Sequence, residues 1–238
     1  MVVQLPYIRP RCICPYAHRA EIALAETGLP FKKYEIDLKS KPEWYPQVNP
    51  IGQVPAITYG GPDVPPDHPP PTPPNSPNPS SSPSSSMTSP RHPLLPTDPV
   101  LRAKARYFAE AFSSRVSAHW YASCLNGEPF DKLFDGLESL QSLLPAEGKY
   151  AVGDEYTIAD IAVTPFLARL EVALREDVGM FPIGEGPVGY KTLMTGPRFS
   201  RLRDYFANLK ARESFKKTFD ENYFKQAFAV KCGDSRKS

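Results

Sequence analysis

The chain has 238 residues, 41% of them hydrophobic and 23% charged, with 28 basic against 26 acidic side chains for a net charge of +2. This is ordinary globular composition, enough for one or two domains, and its balanced, scattered charge excludes the basic footprint of a nucleic-acid binder. No apolar run spans a bilayer, and MVVQLPYIRP lacks the features of a secretory signal, so a cytoplasmic protein with no membrane partner is expected.

In chain order, the first element is a helix over YAHRAEIALAETG, with Pro15 in its first turn and Gly28 as its stop. FKKYEIDL alternates as a strand does, KSKPEWYPQVNP is a loop with helical turns, and VPAITY is a second strand opened by Val54-Pro55. If that peptide bond is cis, the Val54 backbone turns outward, free to pair with a bound peptide; the bland reading is an edge-strand proline. The chain has 29 prolines, and from Pro65 to Pro93 the only apolar residue is Met87. Residues 61–97 therefore have nothing to bury and read as a disordered Pro/Ser-rich segment.

Residues 98–230 read as wholly helical, followed by a tail over 231–238. Asp98 caps a long helix with Pro99 at its first position, and a second helix spans about 129–144. A third starts at Thr157, where Thr157 and Asp160 form a capping-box pattern and Pro165 marks a kink. Two or three more follow, including PRFSRLRDYFANLKARESF and ENYFKQAFA.

Cys14 is the sharpest candidate for chemistry. A cysteine just before a helix lies at the positive dipole end, beside unpaired amides that favour a sulfur anion able to attack a disulfide or exchange with a thiol. The alternative is a buried structural thiol. Four cysteines, at 12, 14, 124 and 232, are too few for a disulfide framework, and Cys12 with Cys14 makes neither a C-x-x-C pair nor a metal site. His18 lies one turn after Cys14 and could reach its sulfur, but an exposed helical histidine is the preferred expectation. Tyr107, Phe112, Trp120 and Phe166 are spaced to serve a core, with contact to a substrate cleft as the functional alternative.

CPYAHRAEIALAETGLPFKKYEIDLKSKPEWYPQVNPIGQVPAI, with its C-P-[FY]-A-x-R start, K-P-E-W loop and N-P-x-G-x-V-P turn, resembles the glutathione transferases, specifically the omega class and its fungal relatives. The capped helix from Thr157 agrees. The resemblance implies an α/β thioredoxin-like first domain over residues 1–60 and an all-α second domain, with glutathione as co-substrate and no permanently bound cofactor. An apolar or aromatic co-substrate would sit between the domains. It also implies a mixed disulfide between Cys14 and glutathione, Pro15 and Tyr16 beside it, Leu38 lining the site, Lys41 near the glycyl carboxylate, and Val54 pairing ahead of Pro55. A catalytic cysteine implies thiol transfer, dehydroascorbate reduction or deglutathionylation, and the family implies a possible homodimer. The rival reading is a non-catalytic ligand carrier or interaction protein on the same fold.

One departure stands out: the family has a fourth strand and a third helix, opened by an acidic residue and Ser, where the Pro/Ser segment lies, so glutathione binding is expected to be impaired in this chain. Read out of frame, joining the third base of each codon to the next two, the codons from Asn78 to Ser89 permit E-S-L-V-L-x-E-F-I-x-D-L. The same operation on LPYIRPR permits ITLYTAK, the family's first strand, which Pro6 and Pro10 are expected to spoil as written. Both segments are therefore candidates for out-of-frame translation, the rival being a genuine Pro-rich arm of the SH3-ligand kind.

Overall fold

The computed structural model describes residues 3–8, 14–28, 31–37, 40–59 and 93–233. The chain begins with a strand, β1 (Val3–Ile8), followed by α1 (Pro15–Thr27), β2 (Phe31–Ile36), the short α2 (Tyr45–Val48) and β3 (Thr58–Tyr59). The sheet order is β2-β1-β3, with β1 parallel to β2 and antiparallel to β3. This corrects the expectation that Pro6 breaks the first strand. Among the described residues β3 pairs with Val3 and Gln4 alone, so no ladder bond to β3 is required of Pro6, and a proline is tolerated there. The β3 ladder also starts at Thr58, four residues after Val54, so Val54-Pro55 lies in the turn that leads into the strand.

α1 forms as its sequence dictates: Pro15 opens it and Gly28, at φ 66°, closes it in the left-handed region with its N–H on the Ala25 carbonyl. Its apolar residues face two ways. Ala20 and Leu24 pack on Phe31 and Ile57 of the first domain, whereas Ile22 and Ala23 join the core of the helical domain.

The second domain comprises α3 (Pro99–Phe112), a π-helical turn (Ser113–Ser117), α4 (Ala118–Asn126), α5 (Asp131–Gln141), α6 (Ile158–Arg175), α7 (Glu185–Met194), a 3-10 turn (Pro197–Phe199), α8 (Ser200–Ala211), α9 (Glu213–Thr218) and α10 (Glu221–Gly233). Asp98 caps α3 by accepting from the Leu101 N–H at 2.8 Å. The capping box of α6 is complete, with Thr157 and Asp160 satisfying each other's end of the first turn. Its span runs on through Pro165, and it is buried along nearly its whole length at the centre of the bundle. Two boundaries differ from the sequence reading. Residues 93–97 are ordered, because Leu94 buries its side chain in the helical core and its carbonyl accepts from the Ile158 N–H at 3.0 Å. α10 continues to Gly233 because Cys232 still faces that core. The Pro/Ser segment over 60–92, and with it the proposed frame change there, lies outside the described residues.

Candidate active site

Cys14 occupies the N-cap position of α1 with extended backbone, its own side chain makes no capping hydrogen bond, and no other side chain caps the helix among the described residues. The first-turn amides of Tyr16 and Ala17 therefore stay open at the helix's positive end, beside a half-buried free thiol. Cys124 and Cys232 are fully buried; burial, with Cys232 adding to it, pushes the Cys124 thiol far above its ordinary range. Pro15 is buried at the first helical position, and Tyr16 is exposed, its ring edge-on to Phe166 at 5.5 Å.

The loop ahead of Val54 is built on Asn49. The Asn49 amide nitrogen and the Tyr45 hydroxyl both donate to the Gln53 carbonyl, at 2.5 and 2.6 Å, while the Asn49 side-chain oxygen accepts from the Ile51 N–H at 3.2 Å. Gly52 has φ +69°, and a Cβ there would lie 3.0 Å from the Lys41 Nζ, so this glycine serves both the turn and the approach of Lys41. The Val54–Pro55 bond is cis, and the Val54 backbone makes no hydrogen bond with the described protein. Lys41 is exposed nearby; Leu38 and Cys12 lie outside the described residues.

The aromatics sort by burial. Phe112, Trp120 and Phe166 are core residues, with Phe166 touching Phe112, Trp120, Tyr121 and Tyr16 through ring edges. Tyr107 is exposed on α3, its hydroxyl accepting from Arg115 at 3.1 Å. Of these four aromatics, Phe166 is the one whose ring meets Tyr16, the neighbour of Cys14.

Two residues of α1, Arg19 and His18, make contacts that spacing in the sequence did not reveal. Arg19 donates from Nε to the Ala162 carbonyl of α6 at 2.8 Å, and its guanidinium lies over Tyr16, Phe166 and Phe112 at 4.8, 5.1 and 5.6 Å. One guanidinium nitrogen is buried with no hydrogen-bond partner among the described residues. Burial lowers the Arg19 pKa, with Tyr16, Tyr121 and Cys14 pulling it up, so this cation shares its surroundings with all three acidic groups. Burial likewise pushes the Tyr121 hydroxyl far above its usual range, and Cys14 and Tyr16 add to that. His18, expected on the surface, is 3% exposed. The sequence reading could not see that the helical domain packs over that face of α1. The available signal was the run of small and apolar residues on both sides of α1, which gives the helix two buried faces.

Among the described residues no cluster of three metal-ligating side chains exists and no helix is long and apolar enough to cross a membrane. Two family models match the chain: the N-terminal domain of glutathione S-transferases over residues 13–72 and the C-terminal domain over residues 128–208. Among solved structures, glutathione transferase Omega 1C from Trametes versicolor is 43% identical with a TM-score of 0.84, covering 99% of this chain and 98% of that one. Omega 2S of the same organism, solved in complex with 2,4-dihydroxybenzophenone, is 35% identical with a TM-score of 0.80, covering 96% and 98%. A curated relative, "Glutathione S-transferase DHAR2" of Arabidopsis thaliana, is 26% identical over 206 residues, 86% of this chain and 83% of its own length. The thioredoxin-like half, the helical half and these likenesses across nearly the whole chain agree: the chain belongs to the glutathione transferase family.

Proposed function

We propose that the protein is an omega-type glutathione transferase that uses Cys14 as its nucleophile for thiol transfer, with deglutathionylation and dehydroascorbate reduction as reactions of the same class. One observation carries this reading: a half-buried free thiol at the uncapped start of α1, the place in a helix where a sulfur anion is best accommodated. Cys14 attacks the glutathionyl sulfur of a mixed disulfide, forming Cys14–glutathione disulfide and releasing the other thiol as thiolate. A second glutathione thiolate then attacks that glutathionyl sulfur, giving glutathione disulfide and returning Cys14 as thiolate. A cysteine serves because it leaves as readily as it attacks.

The surroundings support glutathione as co-substrate. The unpaired Val54 backbone offers a donor and an acceptor to the cysteinyl part of the peptide, and exposed Lys41, beside Gly52, offers a cation to its glycyl carboxylate. Tyr16, with Phe166 behind it, gives an aromatic edge for an apolar or aromatic co-substrate. A cytoplasmic setting suits a glutathione-dependent thiol. No acidic residue followed by serine occurs in the sequence between Gly60 and His92, so glutathione affinity is expected to be weakened.

Steady-state reduction of hydroxyethyl disulfide by glutathione tests the assignment. Turnover in the wild type that is lost in Cys14→Ser supports it. No turnover in the wild type, with aromatic ligands still bound, replaces it with a carrier.

A further inference from the structure

His18 is joined on both ring nitrogens to the helical domain. Nδ1 lies 3.0 Å from an Arg169 guanidinium nitrogen on α6, and Nε2 lies 2.9 Å from the Thr218 hydroxyl at the end of α9. The donors and acceptors fix the tautomer. Arginine only donates, so Nδ1 accepts and the proton sits on Nε2. The Thr218 hydroxyl gives its own proton to the Ser214 carbonyl at 2.7 Å and receives the Nε2–H through a lone pair. Every bond then runs one way, from Arg169 to His18 to Thr218 to Ser214. The imidazole is also stacked on Phe219 at 5.6 Å and 15°, and the Arg169 guanidinium covers the other part of that cluster, over Phe219 and Phe224 at 5.4 and 5.5 Å.

This cluster holds the first turn of α1. The His18 backbone N–H bonds the Cys14 carbonyl, at 3.3 Å, so the residue clamped to α6 and α9 is the one that closes the turn beginning at Cys14. We propose that His18 is a positioning residue: as a neutral imidazole it fixes Cys14 relative to the helical domain, and its protonation releases that clamp. This inference rests on the assignment of Cys14 as nucleophile.

The charges around the ring oppose protonation. A proton on Nδ1 would face the Arg169 guanidinium and abolish its hydrogen bond. From β2, Lys33 adds a second cation, itself bonded to Glu21 of α1 at 2.5 Å, whereas α9 and Phe219 just after it offer the Thr218 hydroxyl and the Phe215 and Phe219 rings, with no acid against the imidazole among the described residues. Burial first, then Arg169 and Lys33, hold His18 well below its ordinary 6.5. The folded chain therefore binds this proton less readily than the unfolded chain. The stability that follows is complete above pH 6.5 and is lost as the pH falls below it.

The test follows glutathione-dependent reduction of hydroxyethyl disulfide by the full chain from about pH 5 to about pH 8, with thermal melts of each variant. Thr218→Val keeps the shape of the clamp and removes the acceptor; Thr218→Ser restores it. The valine variant is expected to lose about tenfold in kcat with glutathione KM within about twofold, and the serine variant to stay within about twofold of wild type in both. His18→Gln cannot titrate, so it should lack the additional fall in kcat expected of wild type once the pH drops well below 6.5, where the folded imidazole takes up its proton. If His18→Gln does not fold, the valine and serine pair decides. A cooperatively folded Thr218→Val with wild-type kcat and pH profile overturns the clamp alone, provided Cys14→Ser is inactive. Turnover surviving in Cys14→Ser removes the nucleophile and the clamp together.

Discussion

The two halves of the molecule are held together by different means. In the helical domain, α6 is wrapped by α3, α4, α7, α8 and α10 and contributes Leu170, Val172, Ala173 and Leu174 to a large continuous core. In the first domain, the separate apolar cluster among the described residues is Ala20 and Leu24 with Phe31 and Ile57 against them. The other face of α1 is given to the helical domain, where polar ties complement Ile22 and Ala23. These are Arg19 to the Ala162 carbonyl, His18 to Arg169 and Thr218, and Glu26 to Arg212 and Ser214. The helix that begins at Cys14 is thus positioned as much by its neighbour domain as by its own sheet.

This contrast sets the order of effects. Leu170→Ala, at a fully buried position on α6, should cost about 3 to 4 kcal/mol in urea unfolding. Leu24→Ala, in the smaller cluster, should cost about 2 kcal/mol and affect thiol transfer more than the bundle's melting. Equal losses from the two would contradict the contrast. Next comes the tie at the far end of α1. Arg212 donates two bonds to Glu26, at 3.0 and 2.5 Å, while lying over Tyr156 at 4.4 Å, and it is about a third exposed, so Glu26→Gln should cost about 1 to 2 kcal/mol. A double-mutant cycle with Arg212 measures that coupling. Asp98→Ala, which removes an exposed cap from α3 and has no bond to the first domain among the described residues, should cost about 1 kcal/mol and leave turnover unchanged.

A further distinction between the halves is the pH response. Burial pushes the Asp160 carboxyl up to about 6, against the downward pull of its bonds from Ala151 N–H, Thr157 N–H and the Thr157 hydroxyl. The folded chain therefore holds this proton more tightly than the unfolded one. Its stabilising contribution is complete below the ordinary 3.8 and is lost as the pH rises through about 6, the opposite of His18. Thermal melts across that window should show the loss in wild type and a flatter profile in Asp160→Asn.

What could be read in the sequence was whatever depends on neighbours in the chain. The Thr157–Asp160 box, the Asp98 cap, Gly28 as the stop of α1 and the place of Cys14 at its start are all set by residues within a few positions of each other. What could not be read was what other elements bring. His18 looks exposed until α6 and α9 supply Arg169 and Thr218, 151 and 200 residues away. Pro6 looks fatal to a strand until β3 proves to pair with only its first two residues. The glutathione loop was found as a motif, whereas the support of Gln53 by Asn49 and Tyr45 required the folded turn.

Mass spectrometry of the intact chain after incubation with glutathione disulfide, with fragmentation through residues 12–14, tests the central assignment most directly. The structure predicts one glutathionyl group, on half-buried Cys14, absent in Cys14→Ser, with buried Cys124 and Cys232 unmodified. A glutathionyl group on any other cysteine, or one that persists in Cys14→Ser, would contradict Cys14 as the residue that exchanges with glutathione.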